Sequence, residues 1–204
     1  MKAGTLVALE GLDGSGKTTQ VAALARALRA RAFDVVATKE PTDGPWGRLI
    51  RAMAAAGEHP DPDEELRWFV EDRREHVRGV LAPALAAGRV VVTDRYFLST
   101  VAYQGARGHD PERLLRESEA EFPLPDLALL LELDPAAGLA RVGRRGAVRE
   151  PAFEEAAYLE RVVAIFRWID RPWLARIDAS ADPEVVHGRV LEAVERTLRA
   201  RVSR

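Results

Sequence analysis

Gly11-Leu12-Asp13-Gly14-Ser15-Gly16-Lys17-Thr18 meets the pattern G-x-x-x-x-G-K-[ST] at every fixed position. Its flanks agree with it. The preceding run, Thr5 to Glu10, is apolar and β-prone. The residues that follow put Val21, Leu24, Ala25 and Leu28 at i, i+3, i+4 and i+7, the spacing of an amphipathic helix. Strand, glycine-rich loop and helix in that order are the context in which such a pattern binds phosphate. The glycines let successive backbone N–H groups point inward, and the helix start adds partial positive charge. This cradle, Gly11 to Thr18 with Thr19 beyond it, suits a polyphosphate. Lys17 is placed to reach the β- and γ-phosphates, and the Thr18 hydroxyl to ligate Mg2+. A glycine-rich turn with a chance lysine is the alternative, and both flanks speak against it.

Composition narrows the class. The 204 residues are 47% hydrophobic, enough for the core of one α/β domain over residues 1–204. The formal net charge of −2 offers no general basic field, which argues against nucleic acid as a partner. Cysteine is absent, so disulfides and thiolate metal sites are excluded and a reducing, cytoplasmic setting fits. Met1 leads almost directly into the first strand, leaving no room for a signal segment, and no apolar run approaches membrane-spanning length. Arginine far outnumbers the three lysines, Lys2, Lys17 and Lys39, and the excess itself carries no functional reading.

Along the chain, strands alternate with helices. Asp34 to Lys39 reads as a second strand, stopped by Glu40-Pro41 and the turn-rich Thr42 to Pro45. A helix follows from about Trp46 to Ala56. After a loop ending in capping residues, Glu64 to Ala87 carries one long helical pattern. Arg89 to Asp94 and Leu127 to Leu133 are short apolar strands of the kind buried on both faces of a parallel sheet. Helices are expected from Phe97 to Gly105 and from Phe153 to Asp170. Asp110-Pro111, Asp134-Pro135 and Asp182-Pro183 mark helix starts, with aspartate as cap and proline at the first helical position. A last strand, Trp173 to Asp178, precedes a helix with Val186, Val190, Val194 and Leu198 on one face. The expected fold is α/β, a five-stranded parallel sheet with helices on both faces.

Ligands of open parallel sheets bind beyond the carboxyl ends of the strands. Glu40, Asp94 and Arg95 stand at such ends, as does Asp178-Ala179-Ser180. Asp94 is placed to hold Mg2+ with Thr18, to cap the helix that follows, or to do both. Arg95 suits bidentate phosphate recognition, with a surface salt bridge as the alternative. In the long helix, Leu66, Val70, Val77, Val80 and Leu81 define an inward stripe on which Arg73 falls. A buried guanidinium needs a partner. With Phe69 one turn away, a flat base could stack on the ring while Arg73 donates to a base carbonyl. Equally, Phe69 is core and Arg73 extends to water.

The P-loop, Glu40-Pro41 with Gly47 and Arg51 beyond it, Phe69-x-x-x-Arg73, Asp94-Arg95-Tyr96-x-x-Ser99-Thr100-x-Ala102-Tyr103-Gln104-Gly105 and Asp178-Ala179-Ser180 together resemble the thymidylate kinase family, from about residue 5 to residue 195. The Asp94 to Gly105 run is more specific than the P-loop, which alone names a superfamily. The resemblance implies a P-loop nucleoside monophosphate kinase-like fold with a short lid. It implies transfer of the γ-phosphoryl group of ATP to dTMP, giving dTDP and ADP, with Mg2+ and as a homodimer. By matching position, Phe69 stacks on thymine and Arg73 addresses its O4. Ser99, Thr100 and Gln104 belong to the dTMP site, and Tyr103 lies beneath the deoxyribose. Arg95 and Arg51 hold the acceptor phosphate. Asp13 turns from the phosphates to accept from the sugar 3′-hydroxyl, and Glu40 is expected to orient Arg95.

The basic segment Arg141 to Arg149 matches the lid. The variable P-loop positions contain no arginine, so Arg144, Arg145 and Arg149 are the available arginine fingers, unless the segment is simply a solvated charge run. No general base is needed, because the acceptor phosphate is already ionised. Two departures from the common bacterial form stand out: Thr42-Asp43-Gly44 where a glycine pair usually follows Glu-Pro, and the shortness of the lid. The nearest alternative function is another nucleoside monophosphate or deoxynucleoside kinase. A regulatory P-loop module is a weaker one, since no Asn-Lys-x-Asp guanine-specificity motif occurs.

Overall fold

The structure, a computed structural model, describes residues 4–57, 60–143 and 153–202. Five strands, β1 (Thr5–Gly11), β2 (Val35–Lys39), β3 (Val90–Asp94), β4 (Leu127–Glu132) and β5 (Leu174–Asp178), pair in parallel in the order β2-β3-β1-β4-β5. The helices are α1 (Lys17–Arg29), α2 (Pro45–Ala56), α3 (Pro62–His76), α4 (Ala82–Ala86), α5 (Phe97–Ala106), α6 (Pro111–Glu121), α7 (Pro135–Gly143), α8 (Phe153–Trp168) and α9 (Pro183–Val202).

Successive β1 side chains point to opposite faces of the sheet, which is why an unbroken apolar run is needed there. Leu6 and Ala8 pack with Phe97 and Val101 of α5, Leu115 of α6 and Phe166 of α8. Val7 and Leu9 pack on the other face with Leu24 and Leu28 of α1 and Val190 and Val194 of α9. Both cores are apolar and centred on β1. The loop at the carboxyl end of β1 therefore leaves the sheet between the ends of β3 and β4, where successive crossovers diverge.

Asp110 caps α6 through the Glu112 and Arg113 amides, and Asp134 caps α7 through those of Ala136 and Ala137, as the Asp-Pro pairs suggest. The long helix differs from its pattern. It runs as α3, then a π-helical turn over Val77–Leu81, then α4. Pro83 has no N–H to give the carbonyl one turn back, and the helix widens over the preceding turn. That widening rotates Val80 outward: Leu81 is fully buried, but Val80, expected on the inward stripe, is exposed.

Candidate functional site

Beyond β1 the chain turns through Gly14 and Gly16, both left-handed with φ of +81° and +94°. A Cβ at Gly14 would lie 2.4 Å from the Gly138 carbonyl oxygen, so α7 and the loop can touch only if that side chain is absent. Leu12 is core and the Ser15 side chain is buried behind the loop. Lys17 is also buried, its Nζ donating to the Leu12 carbonyl at 2.7 Å. Burial, with the Arg95 cation adding to it, pushes the Lys17 ammonium down to about 8. The Thr18 hydroxyl donates to Asp94 Oδ2 at 2.5 Å, so two hard oxygen ligands converge at the mouth of the loop. A cavity of about 390 Å3 opens here, with Thr19, Thr18, Lys17, Asp94 and Arg95 on its walls.

Arg95 follows β3 in a left-handed backbone conformation, φ +72°. A non-glycine residue there stores on the order of 1–3 kcal/mol of strain and persists only where its surroundings hold it. Here the Arg95 amide donates to the Leu9 carbonyl at 2.9 Å and the Thr93 hydroxyl to the Arg95 carbonyl at 2.8 Å. The guanidinium donates to Asp13 Oδ1 at 2.6 Å and to the Ser99 hydroxyl at 2.8 Å, and lies 5.1 Å above the Tyr103 ring. Desolvation opposes ionisation of Asp13, but the Arg95 and Lys17 cations outweigh it and hold the carboxyl below its ordinary range.

Sequence reasoning passed over Glu10, the last polar residue of a buried strand. It is fully buried, and its Oε1 accepts from the Tyr96 amide at 3.0 Å and the Leu98 amide at 3.1 Å, while Oε2 meets the Ser99 hydroxyl at 2.5 Å. Burial pushes its carboxyl up to about 7. Glu10 thus caps α5 from the neighbouring strand. The expected alternative for Asp94, capping that helix, is overturned: its carboxylate faces Thr18. A carboxylate within an otherwise apolar strand was the available signal.

A second cavity, of about 580 Å3, lies between α2, α3 and α5 and has Phe69, Arg73, Ser99, Thr100, Tyr103 and Gln104 among its walls. Arg73 is only 2% exposed, which excludes extension to water. Its Nε and Nη2 donate to Glu40 Oε2 at 2.9 and 2.7 Å, and Nη2 also to the Thr100 hydroxyl at 2.8 Å, while Nη1 is buried with no partner. The expectation that Glu40 orients Arg95 is corrected by these contacts. The other Glu40 oxygen lies 2.9 Å from His76 Nδ1, so this carboxylate clasps two α3 side chains. Gln104 Nε2 donates to buried Glu65 at 2.9 Å. Neither Glu65 nor His76 was singled out by sequence, although both share the inward side of α3 with Arg73.

Arg51 donates to the Pro41 and Thr42 carbonyls at 3.0 and 2.7 Å and pairs with Asp43 at 3.1 Å. Asp43 therefore engages Arg51 directly, which is how the unusual Thr42-Asp43-Gly44 turn bears on that arginine. Buried Asp72 fixes the turn, accepting from the Thr42 amide at 2.8 Å and its hydroxyl at 2.6 Å. The two cavities share Asp13, Glu40, Pro41, Arg51 and Arg95, so they adjoin at the end of β3.

Of the basic segment, Arg141 is described: it donates to the Ala179 and Ser180 carbonyls at 3.1 and 3.3 Å, tying α7 to the end of β5. Arg144, Arg145 and Arg149 lie outside the described residues. Among the described residues, no three His, Cys, Asp or Glu side chains gather as a metal cage, and no helix is long and apolar enough to cross a membrane.

A family model described as thymidylate kinase matches residues 9–190. The chain is 43% identical over 191 residues to the thymidylate kinase of Akkermansia muciniphila, covering 94% of this chain and 91% of the relative. It is 45% identical over 199 residues to that of Xylella fastidiosa strain M12, covering 98% and 90%. To that of Xanthomonas euvesicatoria pv. vesicatoria it is 48% identical over 183 residues, covering 90% and 80%.

Proposed function

The chain belongs to the thymidylate kinase family, and from that membership we propose a division of labour for the transfer of the γ-phosphoryl group of ATP to dTMP, giving dTDP and ADP. The observation that carries it is the meeting of two cavities at Asp13 and Arg95, a phosphate cradle on one side and a base-sized pocket on the other. ATP phosphates occupy the loop Gly11 to Thr18, with Lys17 swinging from the Leu12 carbonyl onto them. Thymine enters between Phe69 and the α5 side chains, with Arg73 donating to O4. Arg95, steered by Asp13 and Ser99, and Arg51, steered by the Pro41 and Thr42 carbonyls, hold the acceptor phosphate in line with the donor. Catalysis is then positioning plus charge neutralisation, with no proton to remove from the attacking oxygen.

The paired oxygens of Thr18 and Asp94 fit a hard cation, and the remaining ligands would be phosphate oxygens and water. Mg2+ bound there would neutralise charge on the β- and γ-phosphates. Since the variable P-loop positions carry no arginine, Arg144, Arg145 and Arg149 supply the positive charge missing from the loop. A single kinase domain, a cytoplasmic location and a homodimer complete the proposal.

The test is ADP release with ATP and Mg2+ and each of dTMP, dUMP, UMP, dCMP, dGMP and dAMP. dTMP is expected to be clearly the best acceptor, and any other order defeats the base-recognition argument. Alanine replacements at Arg144, Arg145 and Arg149 are expected to lower turnover at one position or more. Turnover intact in all three variants removes the lid from the mechanism.

A further inference from the structure

We propose that Glu65 sets base specificity without touching the base, by fixing which end of the Gln104 side-chain amide faces the pocket. The inference rests on the functional reading above and assigns a residue that reading leaves unused.

A side-chain amide presents a donor at one end and an acceptor at the other, and rotation by half a turn exchanges them. At Gln104 the choice is dictated. Glu65 Oε1 lies 2.9 Å from Gln104 Nε2, and the same oxygen forms an ion pair with Arg107 Nε at 3.1 Å. A carboxylate paired with a guanidinium only accepts, so the amide must turn its NH2 to Glu65 and its carbonyl away. That carbonyl, Gln104 Oε1, is buried and has no partner. Arg73 Nη1 is also buried and without a partner, and Arg73 and Gln104 both line the same cavity. Arg73 and Gln104 are close, because Arg73 bonds to Thr100, one turn before Gln104 on α5.

The side chains walling the pocket therefore hold, buried just behind its surface, one unmatched donor and one unmatched acceptor. Such groups buried without partners are costly, and a ligand that supplies both counterparts recovers that cost. A keto pyrimidine does so: O4 accepts from Arg73 while N3–H donates to Gln104. Cytosine has the opposite pattern, an amino donor at C4 and an acceptor at N3. Each cytosine atom then faces a like group, and sites of this type reject the wrong partner strongly. Were Gln104 free to rotate, it would offer its NH2 to the cytosine N3 and half of the discrimination would vanish. Glu65, anchored by Arg107, prevents that rotation.

Two measurements test the assignment. In Glu65→Gln the neighbour can donate as well as accept, and Gln104 can turn. The ratio of kcat/KM for dTMP to that for dCMP is expected to fall roughly tenfold or more, the size of one hydrogen-bond mismatch. The KM for ATP should stay in place. In a Gln104→Met background the Glu65→Gln change should add nothing to the loss, since Glu65 acts through Gln104. Unaltered discrimination in a folded Glu65→Gln variant, or an equal further loss in the Gln104→Met background, overturns the proposal. The second measurement uses the unmutated chain, which has two glutamines, Gln20 and Gln104, and no asparagine. The side-chain amide region of a 15N spectrum thus holds two NH2 pairs, and Gln104→Met assigns them. The Gln104 pair is expected to show well-separated, slowly exchanging protons both with and without dTMP. Averaged protons, or a bonded proton that moves upfield when dTMP binds, defeat the proposal even if Glu65→Gln does not fold. If the unmutated enzyme fails to prefer dTMP over dCMP, the functional reading itself falls. If it prefers dTMP and Glu65→Gln keeps that preference, only this inference does.

Discussion

Arg95 Nη2 donates to Asp13 Oδ1 at 2.6 Å, tying the turn after β3 to the middle of the P-loop. This contact joins the residue proposed for the acceptor phosphate to the loop proposed for the donor. It also holds the head of a side chain whose backbone is strained. Asp13→Ala releases the guanidinium to swing. We expect kcat with dTMP to fall by about a hundredfold, the scale of an ångström-sized misplacement of a reacting group. The KM for ATP should change little, because the loop backbone that binds phosphate is untouched. Steady-state ADP release with each substrate varied in turn separates the two parameters, and a change confined to the ATP KM refutes the assignment.

Lys17 predicts a proton linkage. Burial and Arg95 hold its ammonium down at about 8. Bound polyphosphate favours the charged form and raises that value. Above about pH 8, ATP binding must therefore draw a proton from solution, and affinity must weaken as pH rises further. Calorimetric titrations around pH 9 in two buffers of different ionisation heat read the uptake directly. Lys17→Met should abolish it, whereas equal heats in both buffers for the unmutated protein would contradict the linkage.

Much of this site was legible because its chemistry lies in single residues at strand ends. Gly11 to Thr18, Asp94 and Arg95 follow from pattern and strand position alone, and Arg73 announced itself as a cation on an apolar stripe. The side chains that hold these residues in place were harder to read. Glu10 reaches from β1 to the amides of α5, and Glu40 reaches from β2 to α3, so each acts across a gap that only the sheet order β2-β3-β1 closes. Periodicity within one element cannot report a partner in another. Val80 failed for a local reason: a helical stripe assumes a constant number of residues per turn, and the wide π-helical turn before Pro83 breaks it.

Glu40 distinguishes the structural reading from the sequence expectation. It binds Arg73 through Nε and Nη2, not Arg95. Glu40→Ala leaves a buried guanidinium without its carboxylate, and its effect should resemble that of Arg73→Ala: a higher KM for dTMP and weaker base discrimination. Combining the two substitutions should cost no more than Arg73→Ala alone. Fully additive losses, or a fall in kcat like that of an Arg95 variant, would count against the pairing.

Glu10 predicts a dependence of stability on pH. Its carboxyl is raised in the folded protein from the ordinary 4.5 to about 7. The folded state thus holds this proton more tightly than the unfolded chain. The resulting stabilisation is complete below about 4.5 and is lost as pH rises through about 7. Glu10→Gln keeps an acceptor for the Tyr96 and Leu98 amides and offers an NH2 to Ser99, mimicking the protonated form. Between acidic and neutral pH the Tm of the unmutated protein should fall relative to that of Glu10→Gln by several degrees, about 5 °C. Parallel melting curves at every pH would show that Glu10 is not titrating.

Gly47 sits against the turn that presents Arg51. A Cβ there would lie 1.9 Å from the Thr42 carbonyl oxygen and 2.7 Å from its carbon, both backbone atoms. Thr42 cannot simply retreat, because Asp72 holds its amide and hydroxyl. Gly47→Ala should destabilise the protein by about 1–3 kcal/mol, the cost of overpacking a filled site. It should also raise the KM for dTMP, since the Thr42 carbonyl that must move is one of the two carbonyls that, with the Asp43 carboxylate, fix Arg51. The two effects separate in an Arg51→Ala background. There the loss of thermal stability should persist, while the added rise in KM disappears. A rise in KM that survives the removal of Arg51 would mean that the turn acts on dTMP by another route.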